Sequence, residues 1–265
     1  MQLQQTLVAL EIAGTACRVD CDDRSFAARL GQRYAAFASS RPPELSVDVK
    51  VTDHPGSDVV AAWSGPYARV VARPEGLLVD GVGFTGRFDQ TTGRAVITQP
   101  ADPEPLETLL TAIYASRLLA HGGFFIHAAT IVGKSGALVF FGPSGSGKTT
   151  VTELVGDGVL TDEISAIRSA DQGFLVSSVP WRGQPGSAPL AGLFRLRQAS
   201  TTGVRLLTAH EAIRELLPSV FFARADAGEF GRFLETAERL VRLVPVYELA
   251  FQRDRSFWSI VPGAA

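Results

Sequence analysis

A run of eight residues near the middle of the chain has the pattern of a phosphate-binding loop. Every fixed position of G-x-x-x-x-G-K-[ST] is matched by Gly142-Pro143-Ser144-Gly145-Ser146-Gly147-Lys148-Thr149. In such a loop the backbone N–H groups surround phosphate oxygens, and the N-terminus of the following helix adds partial positive charge. We therefore expect residues 142–150, Thr150 included, to bind nucleotide phosphates, with Lys148 on the outer phosphates and the Thr149 hydroxyl on Mg²⁺.

Lysine is rare in this chain, which makes its presence in the loop informative. Only Lys50, Lys134 and Lys148 occur, and arginine supplies the rest of the 25 basic residues. A compact ammonium group therefore stands where a phosphate needs a point charge. The alternative is a glycine-rich turn without chemistry, or a loop that has lost its nucleotide.

The elements that must position this loop are a strand before it and a helix after it. The apolar run 137–141 predicts the strand, and a short helix is predicted from Lys148 to about Val155. A second strand, 124–132, precedes a glycine-rich turn at 133–136, so we expect an antiparallel hairpin to lead into the loop.

Two neighbouring carboxylates follow the loop and are candidates for metal binding or proton transfer. Phosphoryl transfer needs a carboxylate for Mg²⁺, a group that accepts the proton of the acceptor, and positive charge on the transferred group. Asp162 and Glu163 end an apolar segment that predicts a strand over 159–163, beside the strand of the loop. We assign the metal or base role to Asp162 first and Glu163 second, because a regular strand turns only one of them toward the nucleotide. The alternative is two solvated acids at a strand end.

His127 and Arg182 are the remaining candidates for a catalytic role. The hairpin places the strand of His127 next to the strand that enters the loop, so this histidine can lie at the phosphate end; otherwise it is a histidine satisfied within the core. Arg182 stands in a loop of prolines and glycines over 180–189. It can clamp a transferred phosphoryl group, hold a carboxylate, or remain exposed.

The first hundred residues predict a smaller module without a catalytic cluster. Strict alternation over 45–51 indicates a half-buried strand, and an apolar stripe over 24–38 indicates a helix with Asp23 as its N-cap. A meander of short antiparallel strands is predicted at 68–72, 77–79, 85–89 and 94–98. The proline-marked stretch 100–105 predicts a boundary between a small α+β domain, 1–104, for recognition or assembly, and a nucleotide-binding domain, 105–265.

Within the second domain, the pattern predicts further helices and strands. Helices are expected at 106–120, 208–217 and 229–244, and strands at 173–179, 193–197 and 246–251.

Composition narrows the class of protein. The chain has 265 residues, 46% of them hydrophobic, and a net charge of −2 without a basic cluster, so no nucleic-acid partner is expected. No apolar run is long enough for a bilayer, and residues 1–5 lack the features of a secretory signal, so we expect a cytoplasmic protein without a membrane partner. Cys17 and Cys21 are expected to be buried, reduced thiols.

The motifs taken together resemble a known family. The run Phe125–Ala129, the hairpin, Gly142–Thr150 and Leu160–Glu163 are similar to the HPr serine kinase/phosphorylase family, which is related to phosphoenolpyruvate carboxykinases, and above all to its smaller HPr-kinase-related members. The resemblance implies an α/β fold with a mixed-sheet P-loop kinase core. It also implies that His127, Lys148, Thr149 and Asp162 take the positions of the family's functional residues, with Glu163 in place of a second aspartate.

The resulting prediction is a Mg²⁺-dependent kinase that uses ATP or another nucleoside triphosphate. It would transfer the γ-phosphate to a hydroxyl, serine before others, of a protein, a peptide or a small molecule. A nucleotide-sensing regulatory module without catalysis is the alternative, and an enzyme similar to phosphoenolpyruvate carboxykinase is the third. Assembly into a homo-oligomer is left open.

Overall fold

The structure, a computed structural model, describes residues 6–53 and 68–264. Residues 1–5, which entered the localisation prediction, lie outside the described residues. Within the described ranges the chain has an α/β fold with two mixed sheets. Its helices are α1 Arg24–Arg33, α2 Pro103–Ala120, α3 Lys148–Val155, α4 Ala209–Leu216 and α5 Ala227–Leu243.

By its internal contacts the chain divides into two compact units. The first is Met1–Ser116 with Phe222–Arg224, and the second is Arg117–Phe221 with Ala225–Ala265. This division falls inside α2, and the domain boundary predicted after residue 104 stays a prediction. Among the described residues, no helix has both the length and the apolar character needed to span a bilayer.

The first unit is built on a seven-stranded sheet in the order β1-β2-β3-β7-β6-β5-β4. Its strands are β1 Thr6–Ile12, β2 Thr15–Cys21, β3 Leu45–Val51, β4 Ala68–Arg73, β5 Gly76–Gly81, β6 Phe84–Asp89 and β7 Arg94–Gln99. The predicted antiparallel meander is confirmed for β4 to β7. Parallel pairing of β3 with both β2 and β7 makes the sheet mixed.

The start of helix α1 agrees with the prediction from the sequence, and its end does not. Asp23 caps α1 by accepting the N–H of Phe26 at 2.7 Å, as its position predicted. The helix ends at Arg33, earlier than the predicted residue 38, and a 3₁₀ turn follows it. Tyr34, at the point where the helix ends, is buried and donates its hydroxyl to Glu107 at 2.9 Å, a tertiary contact that helical periodicity does not reveal. Cys17 and Cys21 are free and buried, as expected.

The second unit contains the mixed sheet that carries the candidate loop. Its strands are β8 Gly123–Gly133, β9 Gly136–Phe141, β10 Val159–Thr161, β11 Ile164–Ala170, β12 Gly173–Ser177, β13 Ser187–Gln198, β14 Gly203–Leu206 and β15 Val246–Phe251. The predicted hairpin of β8 and β9 is confirmed, with Ala128 opposite Phe141. On its other edge β9 pairs in parallel with β13, which in turn pairs in parallel with β15.

Two predictions about the strands of this unit were wrong. The strand expected over 159–163 ends at Thr161, and it pairs with β8, so that β8 separates it from β9. The reason is a bend: the Thr161 hydroxyl accepts the N–H of Glu163 at 3.3 Å and of Ile164 at 3.4 Å. The strand expected over 193–197 is longer, since pairing with β12 draws part of the proline-rich segment into β13.

Apolar packing fixes both ends of the candidate loop. Phe140 of β9 and Val151 of α3 are fully buried in one core cluster, together with Phe194 of β13 and Phe251 of β15. The rings of Phe140 and Phe194 stack with centroids 5.1 Å apart. Because packed cores resist displacement, the strand before the loop and the helix after it are held at a fixed spacing.

Candidate functional site

The candidate site is built on the turn between β9 and α3. Helix α3 begins at Lys148 and ends at Val155, as the sequence predicted. Its first helical residues follow Gly147, whose φ of 108° is open to glycine and strained for other residues. The Val151 N–H donates to the Gly147 carbonyl at 2.9 Å, so the loop passes directly into the helix.

Lys148 is folded back onto the loop. Its ammonium donates to the carbonyls of Gly142 at 3.0 Å and Pro143 at 3.3 Å, and 8% of the residue is exposed. Burial lowers the pKa of Lys148 below its usual value. An ammonium that contacts only neutral carbonyls is free to offset the charge of an anion placed in the loop.

Ser146 gives an independent sign that the loop fits a phosphate. Its hydroxyl oxygen is buried and has no hydrogen-bond partner among the described residues. A buried hydroxyl without a partner is costly, and a phosphate oxygen would satisfy it. The Gln198 side chain supports the same loop by donating to the Gly145 carbonyl at 2.8 Å. The other loop positions, Pro143, Ser144, Thr149 and Thr150, are exposed or partly exposed.

Glu163 and Arg182 form an ion pair beside this site. Arg182 Nε lies 3.1 Å from Glu163 Oε2, and each side chain is 45% exposed. The arginine is held there by its backbone, because the Thr161 hydroxyl donates to the Arg182 carbonyl. The Gln184 N–H donates to the Leu160 carbonyl at 2.8 Å and fastens the same loop onto β10.

The charges of Lys148 and Glu163 both act on His127. It is partly buried in β8 and stands opposite Ile164, the residue after Glu163. Burial lowers the pKa of His127 most, the Lys148 ammonium lowers it further, and the Glu163 carboxylate acts against both. The histidine is therefore within electrostatic reach of Lys148 and of the Glu163–Arg182 pair.

Asp162 and Thr149 are the candidate metal ligands. Asp162 is exposed in the bend between β10 and β11, and Thr149 is exposed in the first turn of α3. No cluster of three or more histidine, cysteine, aspartate or glutamate side chains suited to a metal ion occurs within 6–53 and 68–264. One carboxylate and one hydroxyl nevertheless fit Mg²⁺, which keeps several waters and takes its other ligands from phosphates.

The structure relates four of the candidate residues directly: Lys148, His127, Glu163 and Arg182. Asp162 is exposed next to Glu163 along the chain, and its side chain has no hydrogen bond or ion pair with another described side chain. The supporting residues Gln198 and Phe251 carry no sequence signal, because they reach the loop from distant strands. Comparison of the chain with models of known protein families and with curated proteins found no match.

Proposed function

We propose that this protein is a Mg²⁺-dependent kinase that uses ATP, or another nucleoside triphosphate, to phosphorylate a hydroxyl group. The observation that carries the proposal is the glycine-rich loop with a buried lysine ammonium and an unsatisfied Ser146 hydroxyl. A loop of this kind before a helix N-terminus suits nucleotide phosphates. The acceptor is a serine or another hydroxyl of a protein, a peptide or a small molecule, and a cytoplasmic location goes with this proposal.

The proposed fold type is the P-loop kinase core of HPr kinases and phosphoenolpyruvate carboxykinases. Its support is the antiparallel β8–β9 hairpin that enters the loop, since this hairpin is part of the motif resemblance to the HPr kinase family. The Asp162-Glu163 pair in the bend between β10 and β11 is a second point of support.

The proposed transfer is a direct displacement. The acceptor oxygen forms a bond to the γ-phosphorus, the bond from that phosphorus to the β–γ bridging oxygen breaks, and the acceptor proton passes to a carboxylate. Asp162 is the first choice for this carboxylate, because Glu163 is already paired with Arg182. Lys148, His127 and Arg182 offset charge on the phosphates.

The metal has a defined place in this proposal. Mg²⁺, when bound, would offset the negative charge of the phosphates. The Thr149 hydroxyl would hold it, and the Asp162 carboxylate would join it in the arrangement in which Glu163 accepts the proton. The phosphates and water complete its coordination.

The test compares two lysine variants in the full-length protein. Lys148→Ala removes the ammonium from the loop and is expected to abolish nucleotide-dependent phosphoryl transfer, while Lys134→Ala, at an exposed position of the β8–β9 turn, keeps it. Turnover is measured as ADP release with candidate acceptors present. Full activity of Lys148→Ala would refute the proposed role of the loop.

A nucleotide-sensing module without transfer chemistry is the second candidate. It is favoured by the Glu163–Arg182 pair, which leaves this carboxylate engaged. Tight nucleotide binding without ADP release under any acceptor condition would support it over the kinase. An enzyme that acts on a carboxylic acid, as phosphoenolpyruvate carboxykinases do, is a weaker third candidate, because no further basic residues for such a substrate stand out in the sequence.

A further inference from the structure

The sheet of the first unit carries a cavity that the proposed kinase chemistry does not use. Its volume is about 570 Å³, and residues of β3 to β7 line it. This volume falls within the range of about 300–1,000 Å³ that is typical of small-molecule sites. Gly86 packs toward Leu109 of α2, whereas its neighbour Arg87 projects from the other face of the sheet and lines the cavity.

Strand register explains which side chains meet there. Arg87 of β6 stands opposite Leu78 of β5 and Val96 of β7. These three line the cavity, so a guanidinium group lies between two apolar side chains. Arg73 ends β4 opposite Gly76 and lines the same cavity.

Gly76 stands between two residues that line the cavity. Gly76 pairs with Arg73 on one side and with Asp89 on the other. A Cβ added at Gly76 would lie 1.8 Å from the carbonyl oxygen of Phe88, so no other residue fits this position. No side chain therefore fills the row between the arginine and the aspartate.

The two aspartates of the cavity already have partners. Asp48 pairs with Arg94 at 3.2 Å. The Asp89 carboxylate accepts the N–H groups of Thr91 at 2.8 Å and Thr92 at 3.0 Å, and these bonds lower the pKa of Asp89. These N–H groups favour the charged form of Asp89, whose carboxylate has no arginine partner among the described residues.

Two arginines of the cavity are not engaged by a carboxylate of the described residues. In the part of the chain that the structure describes, Arg73, Arg87 and Glu75 line the cavity without a side-chain hydrogen bond or ion pair. The lining charges balance, with three arginines against Asp48, Glu75 and Asp89, but no described carboxylate is hydrogen-bonded to the guanidinium group of Arg73 or of Arg87. A guanidinium beside apolar surface is suited to a carboxylate or phosphate, because its planar N–H groups match such oxygens in pairs.

We propose that this cavity binds a small organic anion, with its carboxylate or phosphate against Arg73 and Arg87 and its apolar part against Leu78 and Val96. The site belongs to the first unit, and the phosphate-binding loop belongs to the second. Only residues of the first unit define the cavity, so this proposal does not depend on the kinase proposal.

The test uses three probes of similar shape on the full chain: benzoate, phenyl phosphate and the neutral benzyl alcohol. Binding is measured by calorimetry and by the ¹⁵N–¹H signals of arginine side chains. At least one anion is expected to bind saturably, and Arg73→Gln and Arg87→Gln should each weaken it about tenfold or more, since each removes a charge-assisted contact. Arg69→Gln is the matched control, because Arg69 lies on the same strand and does not line the cavity.

Each outcome has a defined meaning. Preference for benzoate or for phenyl phosphate identifies the carboxylate or the phosphate as the recognised group, and either supports the site. Equal binding of benzyl alcohol, equal weakening by Arg69→Gln, or no saturable binding up to about 10 mM overturns it. Both arginines are exposed, so the variants are expected to fold, and an unchanged amide spectrum checks this.

Discussion

Gly147 is the loop position at which one added methyl group should do the most damage. Its φ is 108°, and a Cβ there would lie 2.6 Å from Cζ and 3.2 Å from Cε1 of Phe251. The Phe251 ring is 1% exposed and packed in the core, so it cannot move aside freely. Gly147→Ala should therefore combine backbone strain of about 1–2 kcal/mol with overpacking of about 1–3 kcal/mol.

Gly145→Ala separates the two contributions. Gly145 also has a positive φ, 78°, but a Cβ there meets no atom within 4 Å. This variant should lose only the cost of a left-handed backbone, about 1–2 kcal/mol. The difference between the two variants, about 1–3 kcal/mol, then measures the contact with Phe251.

Urea unfolding without nucleotide is the appropriate assay. Two of the three tryptophans, Trp181 and Trp258, belong to the second unit, so tryptophan fluorescence reports on that unit in a Trp63→Phe background. Phe251→Leu in the Gly147→Ala background removes the two contacted ring atoms and should restore part of the lost stability. Equal losses for the two alanine variants, together with no recovery from Phe251→Leu, would refute the packing of this ring against the loop.

Three further predictions concern charged groups. Lys148→Met should raise the pKa of His127, and Glu163→Gln should lower it. An NMR titration in which both variants shift this pKa in the same direction would contradict the proposed arrangement. Because Glu163 and Arg182 are each 45% exposed, a double-mutant cycle should give a coupling of about 0.2–1 kcal/mol in stability; a value several-fold larger would make the pair structural. Backbone and side-chain hydrogen bonds to the Glu211 carboxylate lower its pKa from 4.5 to about 2. The stabilisation that this cap gives to α4 should therefore be complete above pH 4.5 and disappear as the pH falls toward 2. A ¹³C titration of the carboxyl group measures this pKa.

Local sequence signals predicted much of the secondary structure. Strands β3 and β15 and helix α3 have the predicted bounds, and Thr208 with Glu211 forms a capping box at the start of α4, where a helix was predicted. These elements share one property: the information that forms them lies within a few residues, as alternation, capping or a turn. The predicted bounds were wrong where a contact with a residue distant in sequence determines them, as at the end of α1 and the start of β13.

The candidate site shows the same division. The loop pattern itself gave residues 142–150, and the turn at 133–136 gave the hairpin that leads into it. The order of strands was not accessible, so the placement of β10 next to β9 was wrong. Strand order depends on which edges bury the most apolar surface, and no local pattern encodes this.

By itself, the sequence determined a glycine-rich phosphate-binding pattern with one lysine. It also supplied two carboxylates and an arginine further along the chain as candidates for the same site. Only the tertiary structure decided that Lys148 lies buried on loop carbonyls, that Glu163 pairs with Arg182, and that Phe251 presses against Gly147. The reason is physical: residue types and short spacings fix local geometry, whereas contacts between β9, β13 and β15 arise only when the core closes around them.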